Sequence, residues 1–203
     1  MSVDTLVAQK GGVGKTTVAL GMIYERHRRG QTVLAIDLDP QANLTSALDL
    51  DQPDAHIALT YASPHTFPLQ TIIQTTPWCD LAPGHLDLGN FANAQLDMTY
   101  LRALLDPIRN HYDTIIIDTP PNLGTLPRHA MVATDRLYII TQPAYFAVKA
   151  MNPLLDVIVI NMLDGGQSDG RNQRLLGGAF STWLSRAGRV RAASSAAKTR
   201  SGP

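Results

Sequence analysis

The chain has 203 residues, 44% of them hydrophobic, with 17 basic and 17 acidic side chains and a formal net charge of zero. That is enough for one α/β domain with its own core. It contains no run of 18 apolar residues, which excludes a transmembrane helix. A single cysteine, Cys79, excludes an intrachain disulfide and a CxxC site.

In chain order, the first element is a strand at about Val3–Gln9, with Thr5-Leu6-Val7-Ala8 as its buried part. A helix with apolar spacing follows from about Thr16 to Arg29 and is closed by Gly30. Between them lies Lys10-Gly11-Gly12-Val13-Gly14-Lys15-Thr16-Thr17. Strand, glycine loop and helix N-terminus in that order make an anion site, because orphan backbone N–H groups and the helix dipole converge there. Gly-Lys-Thr is the second half of a phosphate-binding loop: Lys15 reaches β/γ-phosphates and the Thr16 hydroxyl holds Mg²⁺. The loop departs from the general pattern, carrying Gln9 where that pattern has Gly and Lys10 five residues before Lys15.

A strand at Thr32–Asp37 ends in Asp37-Leu38-Asp39-Pro40-Gln41. Asp37 and Asp39 share a side-chain parity in an extended chain, so both can face the phosphates. A polar loop with two short helical pieces runs from Leu38 to about Gln74. Trp78–Ala82 reads as a third strand, ended by Pro83-Gly84, and Leu96–Asn110 as a helix with Pro107 near its end. Thr114–Asp118 is a buried strand whose three isoleucines deliver Asp118 at its carboxyl end, followed by the turn Thr119-Pro120-Pro121-Asn122. A helix at about Leu126–Thr134, a strand at Arg136–Thr141, a long helix at Ala144–Met162, a loop at 164–172 and a last strand at Leu175–Phe180 complete the reading. Alternating strands and helices imply βαβ units and a mostly parallel, doubly wound sheet. Ligands bind beyond the carboxyl ends of strands in such sheets, where Lys10–Thr17, Asp37–Gln41 and Asp118–Asn122 all fall.

Three segments carry a family resemblance: Lys-Gly-Gly-Val-Gly-Lys-Thr-Thr, Asp-Leu-Asp-Pro-Gln and Ile-Asp-Thr-Pro-Pro-Asn. They resemble the deviant phosphate loop, first switch and second switch of the ParA/MinD superfamily of P-loop ATPases, on its ParA/Soj partition side. The resemblance runs from about residue 3 to 160. It implies ATP and Mg²⁺ as ligands, with Gly11, Gly12, Val13, Gly14, Lys15, Thr16 and Thr17 around the phosphates. Lys10 would be the signature lysine that reaches the ATP of a partner copy, and Asp39 the residue that positions water. Thr16, Asp37 and Asp118, the last through water, would hold the metal. The family further implies a homodimer formed on ATP and non-specific binding of double-stranded DNA. Weak hydrolysis stimulated by a ParB-type centromere-binding protein would drive plasmid or chromosome partition. Thr141–Lys149 resembles the next strand-to-helix junction of the family.

The resemblance stops after about residue 160. Arg174–Gly178 is compatible with the start of the family's next strand, and Trp183–Pro203 is unlike the family, so a shortened, atypical C-terminus is expected. The division expected is an ATPase domain over 1–180 and a basic, disordered tail over 181–203. All 17 acidic residues precede position 171, whereas residues 171–203 carry seven Lys and Arg and no acid. A basic tail on an acidic body points to a polyanion as partner. The alternatives are a MinD-like ATPase on a membrane surface, using helical spacing of Leu176, Phe180, Trp183, Leu184, Ala187 and Val190 among arginines, and an inactive shortened relative. Gly177-Gly178 weakens that helix by about 1 kcal/mol per glycine. Iron–sulfur relatives need paired cysteines, and Cys79 is alone; it reads as a small half-buried hydrophobe. No basic-then-apolar secretion signal precedes Lys10, so a cytoplasmic, nucleoid-associated protein is expected.

Overall fold

The computed structural model describes residues 1–50, 53–141 and, as backbone, 157–160. Seven strands form one sheet: β1 (Ser2–Val7), β2 (Val33–Asp37), β3 (Gln74–Thr75), β4 (Asp80–Ala82), β5 (Thr114–Asp118), β6 (Arg136–Thr141) and β7 (Val157–Ile160). Their order across the sheet is β3-β4-β2-β5-β1-β6-β7, and every pairing is parallel except β3 with β4. The described helices are α1 (Lys15–Arg28), α2 (Asn43–Ala47), α3 (Ile57–Ala62), α4 (Leu69–Ile72), α5 (Tyr100–Leu105) and α6 (Thr125–Ala133), with 3₁₀ turns at Leu86–Phe91 and Arg109–His111.

The sheet is covered on both faces because its strands are apolar on both. Val3, Leu34, Ile36, Ile115 and Ile117 join one core with Ile57 and Tyr61 of α3, Leu69 of α4, Leu101 of α5 and Leu126 of α6. The alternate residues point the other way, toward α1. There Asp4, fully buried, takes the Arg136 guanidinium at 2.8 and 3.1 Å and lies 3.5 Å from Arg26 of α1. α1 stops in a Schellman motif: the Gly30 N–H bonds the His27 carbonyl, the Gln31 N–H bonds that of Arg26, and Gly30 takes a left-handed φ of 74°. Arg26, His27 and Arg28 in its last turn suit the helix dipole.

Strands β5 and β6 fall where the sequence places them, and α1, β1, β2 and α6 within one or two residues. Three regions differ. The loop 38–74 holds three short helices rather than two, and Gln74–Thr75 adds a two-residue antiparallel strand to the sheet edge. The helix expected over 96–110 shrinks to Tyr100–Leu105. Asp97 starts it as a turn, its carboxylate accepting the Thr99 N–H at 2.7 Å and the Thr99 hydroxyl at 2.5 Å, which offers the backbone a local alternative to helix. The long helix expected over 144–162 is overturned at 157–160, which pair in register with Tyr138–Thr141 as β7. Val-Ile-Val-Ile is a β-branched run, and an open strand edge beside it decides in favour of sheet. Residues 144–156 and 161–162 of that expected helix, the loop at 164–172, the strand at 175–180, and the boundary at 180 with the tail beyond it lie outside the described residues. So do the membrane-anchor spacing and most of the junction at 141–149.

Candidate active site

The strand order brings three carboxyl ends side by side, those of β2, β5 and β1. Register pairs Asp37 with Asp118 and Leu6 with Asp118 across the two ladders. The Leu38 N–H donates to the Asp118 carbonyl at 2.8 Å, and the Thr119 hydroxyl donates to the Leu6 carbonyl at 2.8 Å, so the three ends are stitched together past the last ladder bonds.

From β1 the chain turns through the glycine loop into α1. Gly12 and Gly14 take positive φ of 75° and 87°, which a side chain resists. A Cβ on Gly12, which is exposed, would meet nothing within 4 Å, so it is the backbone conformation and not crowding that calls for glycine there. Gly14 caps α1 without a side-chain hydrogen bond, and the Lys15, Thr16 and Thr17 amides at a helix start have no acceptor within the helix. A glycine turn lined by such amides is a cradle for an anion.

Lys15 is buried and its ammonium pairs with one oxygen of Asp118, which is fully buried. The Thr16 hydroxyl donates to the other Asp118 oxygen at 2.7 Å. Burial pushes the Asp118 carboxyl above the usual range, against the pull of Lys15 and Thr16, and the nearby Asp39 adds to the rise. Asp37, also fully buried, is raised as well: desolvation and then Asp118 push it up to about 7, although hydrogen bonds from Thr45 and Asp39 oppose this. One Asp37 oxygen accepts the Asp39 N–H at 3.1 Å; the other accepts the Thr45 N–H at 2.9 Å and hydroxyl at 2.8 Å. Asp39 is buried and accepts the Gln41 N–H at 3.0 Å, which fixes the turn after β2.

Lys15, Thr16, Asp37, Asp39 and Asp118 therefore gather in one place. Val13 is buried beneath the loop, and Lys10 is exposed at the loop's head. Gly11 approaches Pro121, so the turn after β5 lies against the loop. Three carboxylates, a hydroxyl and one lysine are a hard oxygen donor set with a mobile cation, suited to Mg²⁺ and phosphate rather than to a soft metal.

Two residues matter that sequence reasoning did not single out as site residues. Thr45 ties α2 to Asp37, and its hydroxyl also accepts the Gly84 N–H at 2.8 Å. Gly84 itself packs so tightly that a Cβ would stand 2.8 Å from the Asp37 carboxyl carbon. Thr45 follows the Asp37-Leu38-Asp39-Pro40-Gln41 segment by four residues, a signal that was available; Gly84 reads only as a turn. Cys79 is buried rather than half-buried, and burial raises its thiol to about 11, which leaves it unreactive at neutral pH. It lines a cleft with His27, Val33, Trp78 and Tyr112, at the opposite, amino ends of β2 and β5.

A family model described as an AAA domain matches residues 1–163. The chain is 34% identical over 184 residues to a ParA family protein of Chlamydia pneumoniae, covering 86% of this chain and 69% of that one. It is 33% identical over 158 residues to the chromosome-partitioning ATPase Soj of Treponema pallidum, covering 75% of this chain and 61% of that one. It thus spans about three-fifths of the length of that relative and of others like it. Its fold matches cobyrinic acid a,c-diamide synthase of Mycobacterium smegmatis with a bound ATP analogue and magnesium, at a TM-score of 0.72 and 23% identity, covering 86% of this chain and 80% of that one. With the phosphate loop and both switch segments meeting at the carboxyl ends of β1, β2 and β5, the chain belongs to the ParA/MinD family of P-loop ATPases, on its ParA/Soj partition side.

Proposed function

We propose that this chain binds ATP with Mg²⁺ and hydrolyses it weakly as the switch of a DNA-partition system. In this reading ATP closes two copies into a dimer that holds duplex DNA without sequence preference, and a ParB-type partner stimulates hydrolysis and release. The protein acts in the cytoplasm on the nucleoid; among the described residues no helix is long and apolar enough to cross a membrane. The observation that supports the reading most is the Lys15–Asp118–Thr16 contact beneath the glycine loop. Both side chains that a nucleotide would recruit are parked on one carboxylate, within reach of the loop. The similarity to Soj of Treponema pallidum, a chromosome-partitioning ATPase, points the same way.

Each residue then has a task. Lys15 leaves Asp118 for the phosphates, joined by the amides of Gly11, Gly12, Val13, Gly14, Lys15, Thr16 and Thr17. Thr16, Asp37 and, through water, Asp118 would hold Mg²⁺, with the Thr16 hydroxyl and the Asp118 carboxylate released from their present contact. Bound Mg²⁺ supplies charge neutralisation at the transferring phosphoryl group. Asp39 orients the attacking water. Lys10, on the exposed side of the loop, neutralises phosphate charge in the partner copy's site, which makes dimerisation depend on the γ-phosphate. The turns at 37–45 and 118–124 relax when that contact is lost.

Light scattering of the 203-residue chain tests this. A dimer is expected with Mg²⁺-ATP and a monomer with Mg²⁺-ADP; a monomer with both, from folded protein, sinks the dimer reading. Lys10→Ala is expected to keep ATP affinity within about twofold of wild type, stay monomeric and lose hydrolysis, since Lys10 is exposed and its task lies in the partner copy's site. Normal dimerisation and turnover in Lys10→Ala would remove the lysine from the mechanism. Asp39→Ala is expected to hold the ATP dimer while turnover falls at least about 10²-fold, the usual scale for a lost general base; ordinary turnover would refute its role.

A further inference from the structure

Outside the nucleotide site, two imidazoles and a carboxylate meet just past Gly84. His56 caps the start of α3, and His85 and Asp87 open the 3₁₀ turn Leu86–Phe91. A ligand atom from each of the three lies within 4.8 Å of the other two. His56 is 6% exposed, and its Nδ1 has no hydrogen-bond partner. The two imidazole rings stack with centroids 3.9 Å apart and planes 13° from parallel. His85 Nδ1 lies 3.2 Å from the Asp87 carboxylate and accepts the Asp87 N–H at the same distance.

We propose that His56, His85 and Asp87 form a binding site for a divalent transition metal of the zinc type, separate from the Mg²⁺-nucleotide site.

Two features favour a ligand over simple packing. A buried imidazole nitrogen without a partner leaves a polar group unsatisfied, which native folds avoid unless something completes it. Its neighbours are a second imidazole and a carboxylate, the set that binds zinc through three protein ligands with water in the fourth position. Imidazole nitrogen discriminates against Mg²⁺ and Ca²⁺, which take oxygen.

The site is gathered without being closed. Bonds of about 2.0–2.1 Å place tetrahedral ligand atoms about 3.3 Å apart, so the 4.8 Å spread must contract. A face-to-face pair cannot share an ion in both ring planes, so His85 must turn out of the stack. That turn gives up the stack and the bond from the Asp87 N–H, and the surroundings leave room for it: the His85 and Asp87 side chains are 37% and 59% exposed, while His56 is buried. The Ile57 N–H already bonds the Pro83 carbonyl at 2.9 Å. A metal would therefore rivet the 83–87 turn, with the Gly84 that packs on Asp37, to the start of α3.

The inference does not depend on ATP binding, and metal binding is read directly. Metal-stripped full-length chain is titrated with Co²⁺ and followed by the visible d–d bands of four-coordinate cobalt. One Co²⁺ per chain, displaced by equimolar Zn²⁺ and retained in a large excess of Mg²⁺, is expected. His85→Ala and Asp87→Asn change exposed residues and should keep the wild-type circular dichroism. Each is expected to weaken Co²⁺ binding at least about tenfold, since even residues behind the ligands are worth that much. His111→Ala, at another exposed histidine, should bind as wild type. Absence of the bands in wild type, displacement by Mg²⁺, or undiminished affinity in His85→Ala would each overturn the site.

Discussion

Lys15→Ala is expected to lose ATP binding and also to lower the unfolding temperature of the nucleotide-free protein by roughly 10 °C. The first effect follows from the loop; the second is peculiar to the nucleotide-free geometry. Lys15 is the cation paired with Asp118, and both are buried. Removing one partner of a buried pair costs about 3–5 kcal/mol, because the remaining charge is left without compensation. For a domain of this size each kcal/mol is worth about 2–4 °C. Asp118 would then share its enclosure with Asp37 and Asp39, and its carboxyl, already raised by burial, would rise further.

The sign of the pH effect separates this cause from general damage. A carboxyl raised above its unfolded value binds protons more tightly when folded, so stability falls as pH climbs through the folded value. The deficit of Lys15→Ala relative to wild type should be largest at alkaline pH and shrink as pH falls and the Asp118 carboxyl takes up its proton. Wild type alone is not diagnostic. Asp37, raised to about 7, contributes lost stability as pH rises from about 4 to 7. His56 and His129, both lowered by burial, contribute the opposite below about 6.5. The difference curve cancels these. Lys15→Ala with Asp118→Asn should regain most of the stability and none of the ATP affinity. A pH-independent deficit, or tight ATP binding by Lys15→Ala, would refute the account.

Legibility in the sequence tracked how local the determining forces are. Thr114–Asp118 was readable to the residue because a triple isoleucine ends at a proline turn, whatever surrounds it. The phosphate loop was readable because its glycines serve backbone conformations, and Gly12 and Gly14 indeed take positive φ. Val157–Ile160 was misread because four β-branched residues are too short for period to decide, and the deciding fact is the open edge of β6. Asp97 shortened a helix through a side-chain bond that competes with helix over one turn. In the site, motif order located Asp37, Asp39 and Asp118, but not what their carboxylates touch. The contact of Lys15 with Asp118 spans 103 residues and follows from β1 and β5 being neighbours. Gly84 was least legible, since its constraint comes from Asp37 on β2, which spacing cannot show.

Gly84→Ala is accordingly expected to have an effect out of proportion to one methyl group. The added carbon would stand 2.8 Å from the Asp37 carboxyl carbon, 3.0 Å from Oδ2 and 3.1 Å from the Asp37 carbonyl oxygen. A long side chain would swing away from such a contact. Asp37 is held at one oxygen by the Asp39 amide and at the other by the Thr45 amide and hydroxyl, and its carbonyl belongs to the end of β2. The neighbour therefore gives only by breaking those bonds or by pushing the 83–85 turn outward, which also strains the Gly84 N–H bond to Thr45. Overpacking of this kind costs about 1–3 kcal/mol, or roughly 3–10 °C in unfolding temperature. Its functional signature is more specific than its stability cost. Asp37 moves while the loop at 10–17 does not, so ATP affinity in excess chelator should stay near wild type while the gain in affinity from Mg²⁺ falls at least about tenfold, some 1.4 kcal/mol. Gly89→Ala is the control: a Cβ there meets nothing within 4 Å, and its effect should lie within about 1 kcal/mol of neutral. In an Asp37→Ala background the carboxyl clash is gone, so adding Gly84→Ala should cost less than it does in wild type, and the shortfall measures the coupling between the turn and the carboxylate. Equal costs in both backgrounds, or a wild-type response to Mg²⁺ in Gly84→Ala, would mean that Gly84 does not hold Asp37 in place.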